Sequence, residues 1–399
     1  MPEKPIYAVG LDAGSTKTRM VVCAVEDELR LLGCAAVESR GWSKGAIADQ
    51  RAVAESVLAA LAEAELRAGI SVESAVVGMG GPSLRGAAGR GVLELGYPRE
   101  IQQRDVNRVK ERAARVQLQE DRMVLQLFPQ DFVVDDHPGH RDPRKMTAAQ
   151  LELNVHLLTA SVREHDALVG AVNQAHLVVD ETIFEAQAAW YAAVKPEERS
   201  AGVALVDIGA ESTSLVVYHN EAMCLASTVR VCGGHFTSDL ASGLKISPAE
   251  AERVKIEYGR ASATGSPENV LVELPSPEGC QPRQAPRRHV DLILESRARD
   301  LFQLVRGELA RVSMSMEGSL LGGIFLAGGG AKLAEILDVA ADELKCRSRF
   351  GIVEGIADWP KAMNDAEWCT AAGLAMYSAK LKAQTQRQRA AVGWLNKIL

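Results

Sequence analysis

The sequence predicts an α/β protein made of two related domains that face each other, and three observations lead there. The segment Ala8-Val-Gly-Leu-Asp12-Ala-Gly14-Ser-Thr-Lys-Thr18-Arg-Met-Val-Val22 recurs as Ala204-Leu-Val-Asp207-Ile-Gly209-Ala-Glu-Ser-Thr213-Ser-Leu-Val-Val217. Aspartate, glycine, threonine and the flanking apolar runs superpose at one offset, so each copy reads as a strand entering Asp-x-Gly, a short polar turn and a second strand leaving it. Around the copies, strand-like and helix-like periodicities alternate, which is the pattern of the α/β class. The 399 residues also exceed one ordinary hydrophobic core, and at ~100–200 residues per domain they imply two or three domains.

Composition narrows the function classes. Hydrophobic residues make up 47 % and charged residues 24 %, too apolar for a disordered chain. A net charge of −7 argues against nucleic acid as a partner of the whole protein. The seven cysteines contain no Cys-x-x-Cys pair and read as reduced thiols. Met1 to Val9 lacks a basic segment followed by an apolar run, and nowhere do ~18 apolar residues follow one another. The expectation is a protein that is neither secreted nor membrane-spanning.

Taken in order, the elements follow from their spacing. Asp49 to Ala68 reads as a helix with Ile47, Val53, Val57, Leu58 and Leu61 on one face, and Asp166–Ala175 and Glu185–Val194 look similar. Strands are expected at Ala75–Val77, Val124–Leu127, Val155–Ala160 and Gly323–Ala327. His137-Pro-Gly-His140 lies among Asp135, Asp136 and Asp142, but Pro-Gly makes it a solvated turn rather than a metal site. Residues 262–288 hold five of the fifteen prolines and no sustained period, so a surface loop is expected. Asp291–Leu309 is helical in pattern.

The C-terminal stretch differs from all of this. No acidic residue follows Glu367, and Lys380, Lys382, Arg387, Arg389 and Lys397 make the last twenty positions basic. A polar Gln/Arg linker leads into a short segment in which Val392, Leu395 and Leu399 share one helical face, with Trp394 and Ile398 beside it. Those residues are the candidate membrane contact, through anionic lipids.

The two Asp-x-Gly turns suit a polyphosphate. Tight turns expose backbone N–H groups, Gly14 and Gly209 permit close approach, and Ser15, Thr16, Ser212 and Thr213 add hydroxyls. Lys17 adds a positive charge. Asp12 and Asp207 would meet at the base, where they can order the waters of Mg²⁺, a cation that keeps much of its hydration shell. Gly328-Gly329-Gly330 follows a strand and opens a helix, where backbone approaches a nucleotide. Glu252 and Lys255 stand three apart on one helical face, suited either to ribose hydroxyls and an adenine edge or to an exposed ion pair. No GxxxxGK[ST] loop, GxGxxG fingerprint or GxSxG elbow occurs.

On these residues the chain resembles the actin/Hsp70 superfamily of ATP-binding proteins. Further segments resemble one branch of it, the FtsA family of bacterial cell-division actin homologues: Trp42-Ser-Lys-Gly45, Arg90-Gly-Val-Leu-Glu-Leu95, Phe128-Pro-Gln-Asp-Phe-Val-Val-Asp135, Val155-His-Leu-Leu-Thr159, Val254-Lys-Ile-Glu-Tyr-Gly259 and Thr370-Ala-Ala-Gly-Leu-Ala-Met-Tyr377. The resemblance implies an actin-like, ribonuclease H-like two-domain fold with an ATP cleft and the inserted subdomain IC of that family. Subdomain IA would take residues 1–82, 162–200 and 359–379, and IC residues 83–161. IIA would take 201–235 and 310–358, IIB 236–309, and 380–399 would be the linker and membrane helix.

It further implies ATP with Mg²⁺ in the cleft, Gly233 and Gly234 closing it, and Glu185 orienting the attacking water. It implies self-polymerisation, tethering of the tubulin-like protein FtsZ to the inner face of the cytoplasmic membrane at the septum, and contacts with other division proteins through IC. Arg297 and Arg299 are the best-matched positions for the acidic FtsZ C-terminal peptide. One departure stands out: Ala210-Glu211 occupies a turn where FtsA relatives usually carry glycine, and there the chain resembles PilM of type IV pili. That departure points to ATP binding with at most slow hydrolysis. A PilM-like pilus scaffold and a small-molecule kinase of the same superfamily are the alternative readings.

Overall fold

A computed structural model describes residues 5–219, 222–267, 269–274, 283–311 and 320–395, with side chains through Gln386. In chain order the first half contains β1 (Ile6–Ala13), β2 (Lys17–Val25), β3 (Leu29–Glu38), α1 (Gln50–Ala68) and β4 (Ser74–Met79). An excursion follows: β5 (Arg85–Glu100), α2 (Gln103–Ala114), β6 (Arg122–Val134), β7 (His137–His140) and β8 (Thr147–Ser161). The chain returns through α3 (Val162–Gln174), β9 (Val178–Phe184) and α4 (Glu185–Ala193). The second half holds β10 (Val203–Ile208), β11 (Thr213–His219), β12 (Ala222–Val229), α5 (Gly233–Leu244) and α6 (Pro248–Tyr258). It continues through β13 (Leu271–Leu274), β14 (Arg283–Pro286), α7 (Arg287–Arg311), β15 (Gly323–Ala327), α8 (Ile336–Leu344) and β16 (Ser348–Phe350). Then α9 (Cys369–Leu395) crosses back to the first half.

The duplication seen in the sequence extends to topology. The first sheet runs β9-β4-β1-β2-β3 and the third runs β16-β15-β10-β11-β12. In both, an antiparallel three-strand meander is joined by its first strand to two parallel strands. Strands flanked on both faces must be apolar along their whole length, and β10 is buried at every residue. Helices α1 and α3 cover one face of the first sheet, α4 and α9 the other. Helix α4 also reaches the third sheet, where the Trp190 ring stacks on Tyr218 at 3.8 Å between centroids.

Local signals place the helix ends. Asp49 caps α1 by accepting from the N–H groups of Arg51 and Ala52, and Gly69 at φ 67° ends it in the left-handed region. The buried side of α1 is Val53, Ala54, Val57, Ala60, Leu61 and Ala64. Leu58, expected among them, is 45 % exposed, because the stripe is narrow and filled by alanines. The inserted sheet β5-β8-β6-β7 packs α2 against one face around Leu93, Val106, Val109, Leu151 and Leu153. It also touches the second half of the molecule, where the Ala226 N–H donates to His156 Nε2 at 3.0 Å.

Three expectations need correction. The 262–288 stretch is not a plain loop, since β13 and β14 pair within it as an antiparallel hairpin. Residues 275–282, where its prolines concentrate, lie outside the described residues. His137–His140 is an exposed edge strand rather than a turn, the reversal being made by Asp135 and Asp136 at φ 44° and 67°. Last, the expected linker after Lys380 does not interrupt the chain: α9 is continuous from Cys369 to Leu395. Its alanines and glutamines are adequate helix formers, and a helix already nucleated in the core elongates cheaply. Val392, Trp394 and Leu395 therefore belong to its last turns, while Ile398 and Leu399 lie outside the described residues.

Small residues set how closely α9 packs. A Cβ on Gly10 of β1 would stand 2.4 Å from the Ala375 nitrogen, and one on Gly373 would stand 1.7 Å from the Ala188 carbonyl of α4. Gly373→Ala is expected to lower the unfolding free energy by at least roughly 1–3 kcal/mol, the usual cost of overpacking, in urea denaturation. Gly69→Ala, which meets no atom within 4 Å, isolates the backbone cost alone.

Candidate functional site

Both copies of the repeat form hairpins with the same register. Asp12 pairs with Arg19 and Ala13 with Thr18 in the first, and Asp207 pairs with Ser214 and Ile208 with Thr213 in the second. Residues 14–17 and 209–212 are left as the two turns. A Cβ on Gly14 would come within 2.9 Å of the Lys17 carbonyl, and one on Gly209 within 2.8 Å of the Ser212 carbonyl. The turns face a cavity of about 920 Å³ between the halves. Gly14, Ser15, Thr16 and Lys17 line it from one side, Gly209 and Ser212 from the other. Gly328, Gly329 and Gly330 line the end of β15, and Glu252 and Lys255 project from α6.

Three carboxylates share the floor. Asp12 and Asp207 end corresponding strands, and Glu185 opens α4. Burial, opposed by Arg19 and reinforced by Asp207, raises the Asp12 carboxyl to about 7. Burial likewise raises Glu185 well above the ordinary carboxylate range, with Asp12 and Asp207 adding repulsion. Asp207 is raised by burial and held back by the Thr370 hydroxyl, which donates to its Oδ2 at 2.9 Å, and by Arg19. Glycines make room for two of the three groups. A Cβ on Gly80 would sit 1.9 Å from Glu185 Oε2, and one on Gly328, at φ 82°, would sit 2.3 Å from Asp207 Oδ1.

The buried cation here is Arg19, not Lys17, which is exposed on the turn. Arg19 Nη1 lies 3.9 Å from Asp12 and Nη2 donates to Glu367 at 2.5 Å. Lys332 closes the same network on Glu367 at 3.1 Å and Asp365 at 3.3 Å. Arg19, Thr370, Gly80 and Lys332 were not singled out from the sequence. Arg19 had a signal, since hairpin pairing sets it opposite Asp12. Thr370 had none, because 163 positions separate it from its partner.

Other candidates fall elsewhere. Thr213 is wholly buried in β11 and its hydroxyl has no partner, so it does not face the cavity. Gly233 borders the cavity and Gly234 does not, and both N–H groups at the start of α5 are spent on the second turn, donating to the Gly209 and Ala210 carbonyls at 2.8 and 2.7 Å. Glu252 and Lys255 pair with each other at 2.7 Å while lining the cavity, Lys255 being largely buried. Arg297 chelates Asp239 at 2.6 and 3.1 Å, and Arg299 bonds Glu295, Asp342 and Glu343. Both guanidinium groups are thus engaged in ion pairs within the protein.

The donor set fits a hydrated cation with an anion. The glycine turns form cradles that a Cβ would fill, and the crowded carboxylates lack enough neighbouring positive charge. Among the described residues no three His, Cys, Asp or Glu side chains converge to hold a metal ion directly.

Residues 204–373 match the family described as Cell division protein FtsA, and residues 81–159 the SHS2 domain inserted in it. The Cell division protein FtsA of Pseudomonas aeruginosa is 30 % identical over 371 residues, 92 % of this chain and 88 % of that one. The chain belongs to the FtsA family. The FtsA of Borreliella burgdorferi is also 30 % identical, over 98 % of each chain. Among solved structures, the PilM-PilN type IV pilus biogenesis complex superposes with TM-score 0.67 at 18 % identity, covering 93 % of this chain and 98 % of that one. MreB5 of Spiroplasma citri bound to ADP gives 0.55 at 15 %, covering 95 % and 98 %. These likenesses show the actin-like fold, and the PilM resemblance extends to fold alone.

The raised carboxyls make stability depend on pH with a definite sign. The folded, cation-free chain keeps a proton on Asp12 that the unfolded chain, with an aspartate near ~3.9, has released. The stability present below the ordinary carboxylate range is therefore lost as pH rises through about 7. Melting temperature in chelator should fall across that window, Asp12→Asn should flatten the slope, and a rise in melting temperature instead would contradict the assignment.

Proposed function

We propose that this FtsA-family chain binds Mg²⁺-ATP between its two hairpins and works as a polymerising adaptor that ties FtsZ to the inner face of the cytoplasmic membrane at the septum. What carries the reading is the pair of register-matched Asp-x-Gly hairpins with Asp12, Asp207 and Glu185 gathered between them. The N–H groups and hydroxyls of residues 14–17 and 209–212 would take the phosphates, with Arg19 as the buried counter-charge. Asp12 and Asp207 would hold the waters of Mg²⁺, whose chemistry when bound is to neutralise phosphate charge. Glu252, Lys255 and Gly328–Gly330 would receive the nucleoside side. The subdomain division given by the family resemblance is proposed along with it.

Glu185 is the candidate to orient an attacking water, since its carboxyl projects into the cavity from the start of α4. Burial makes Glu185 hold its proton more tightly than an ordinary carboxylate, so less of it is in the ionised form that can accept a proton from water, and Glu211 adds exposed negative charge at the second turn. Both favour slow turnover, with ATP acting chiefly as an assembly ligand. Glu185→Ala should abolish the residual phosphate release and leave nucleotide affinity nearly unchanged. Turnover equal to wild type in that variant removes Glu185 from the chemistry.

The acidic FtsZ peptide is proposed to dock on residues 236–309. Arg297 and Arg299 could take part only by leaving their internal partners, which makes them weak anchors there. The membrane contact is proposed for Val392, Trp394, Leu395, Ile398 and Leu399 with the basic side chains before them. Among the described residues no helix is long and apolar enough to cross a membrane. A single short amphipathic segment binds reversibly, and polymerisation would add avidity. The deciding experiment is recruitment of FtsZ to anionic vesicles by purified protein with Mg²⁺-ATP. Recruitment should be lost in Trp394→Glu with nucleotide binding intact; recruitment equal to wild type would remove the tail as anchor.

A further inference from the structure

The outer surface of α2 carries a charge pattern that the fold leaves uncompensated. Its inner side is fixed: Val106, Val109 and Ala113 are buried on the inserted sheet, and Gly91 lets the helix approach so closely that a Cβ there would meet the Val109 carbonyl at 2.4 Å. On the opposite side Arg104, Arg108, Arg112 and Arg115 are all exposed, with Glu111 as the one carboxylate among them. Arg104, Arg108 and Arg112 are spaced by four and follow one another at about 6 Å along the axis.

Like charges at that spacing oppose each other, and Arg104 stands in the first turn, at the positive end of the helix dipole. Asp105 in the same turn gives little relief, because Arg99 holds it through bonds of 2.7 and 2.8 Å. Arg112 spends one donor on the Val92 carbonyl at 2.6 Å. Among the described residues the side chains of Arg104, Arg108 and Arg115 form no hydrogen bond or ion pair. A helix face that only meets solvent usually interleaves its signs, and a chain of net charge −7 has carboxylates to spare for doing so.

We propose that this stripe is a docking surface for an acidic segment of a partner protein, a helix bearing carboxylates four residues apart. Arginine favours that partner, since its planar fork takes a carboxylate through two parallel bonds. A bilayer is disfavoured because the apolar side of α2 is already spent on the inserted sheet, leaving none to enter lipid. The proposal does not depend on nucleotide in the cleft or on the surface formed by residues 236–309.

The test uses the full-length protein and a fluorescein-labelled synthetic helix with glutamates four residues apart, followed by fluorescence anisotropy. Binding should weaken with added salt and fall about tenfold or more in Arg104→Glu/Arg108→Glu. It should be unchanged in Arg51→Glu/Lys345→Glu, an equal charge change on exposed positions elsewhere. Equal binding by the stripe variant and wild type overturns the proposal. Arg104→Gln/Arg108→Gln should melt at the wild-type temperature or above it, since repulsion is relieved, and a drop of several degrees would make the stripe structural. With Trp394→Glu silencing the tail, phosphatidylglycerol vesicles or duplex DNA that compete for the stripe better than the peptide would also overturn it.

Discussion

Three carboxylates forced together at the junction of the two halves are the constraint on which the rest of the molecule depends. Asp12 and Asp207 are placed by the register of related hairpins, and Glu185 by the first residue of α4. Burial makes all three hold a proton more tightly than an ordinary carboxylate, and Asp12 and Glu185 are pushed further by their carboxylate neighbours. The chain supplies only partial relief. Arg19 serves Asp12 from 3.9 Å while bonding more tightly to Glu367, and Thr370 gives Asp207 a single hydroxyl. On the proposed function, a site left short of positive charge in this way would be relieved by the Mg²⁺ that accompanies the nucleotide, and such a ligand would stabilise the arrangement that binds it.

Two helices make that junction mechanical. Helix α4 packs against the first sheet and, through Trp190 on Tyr218, against the third, so Glu185 sits at the start of the element that spans both. Helix α9 begins beside the cleft with Thr370 on Asp207 and runs unbroken for 27 residues, about 40 Å, to Leu395. Gly10 and Gly373 let it lie almost on the backbone of its neighbours, which leaves little freedom to tilt. The cleft and the C-terminal segment are thus two ends of one stiff rod. A shift of Asp207 or Thr370 on filling the cleft would be passed along it rather than absorbed in a flexible joint.

What the sequence made legible was whatever is local or repeated. The hairpins, the fold class, the helix ending at Ala68 and the strand Gly323–Ala327 all follow from short-range pattern. The extent of β6 and β8 did not, because their ladder continues through polar residues such as Asn154 and Asp131 that break the apolar signal. Leu58 misled for the opposite reason, its hydrophobicity fitting a stripe that alanines fill. The internal partners of Arg297 and Arg299 were not legible, because Asp239, Asp342 and Glu343 come from other helices. Thr370 and Gly80 belong to the same class, meeting Asp207 and Glu185 from positions distant in sequence.

The Ala210-Glu211 turn shows how a departure from a family pattern can be absorbed. The Gly209 and Ala210 carbonyls accept from the Gly233 and Gly234 N–H groups, so the turn is stitched to the start of α5 and needs no left-handed residue at 210 or 211. Two amides that would otherwise point an α5 N-terminus at an anion are consumed in doing so. Glu211 is exposed at the rim of the cavity, its Cβ only 3.5 Å from where a side chain on Gly45 of the opposite half would begin. The second hairpin is thereby held rigid against α5. On the proposed function, a turn tied down in this way suits a ligand that sets the relation of the two halves more than it suits rapid turnover.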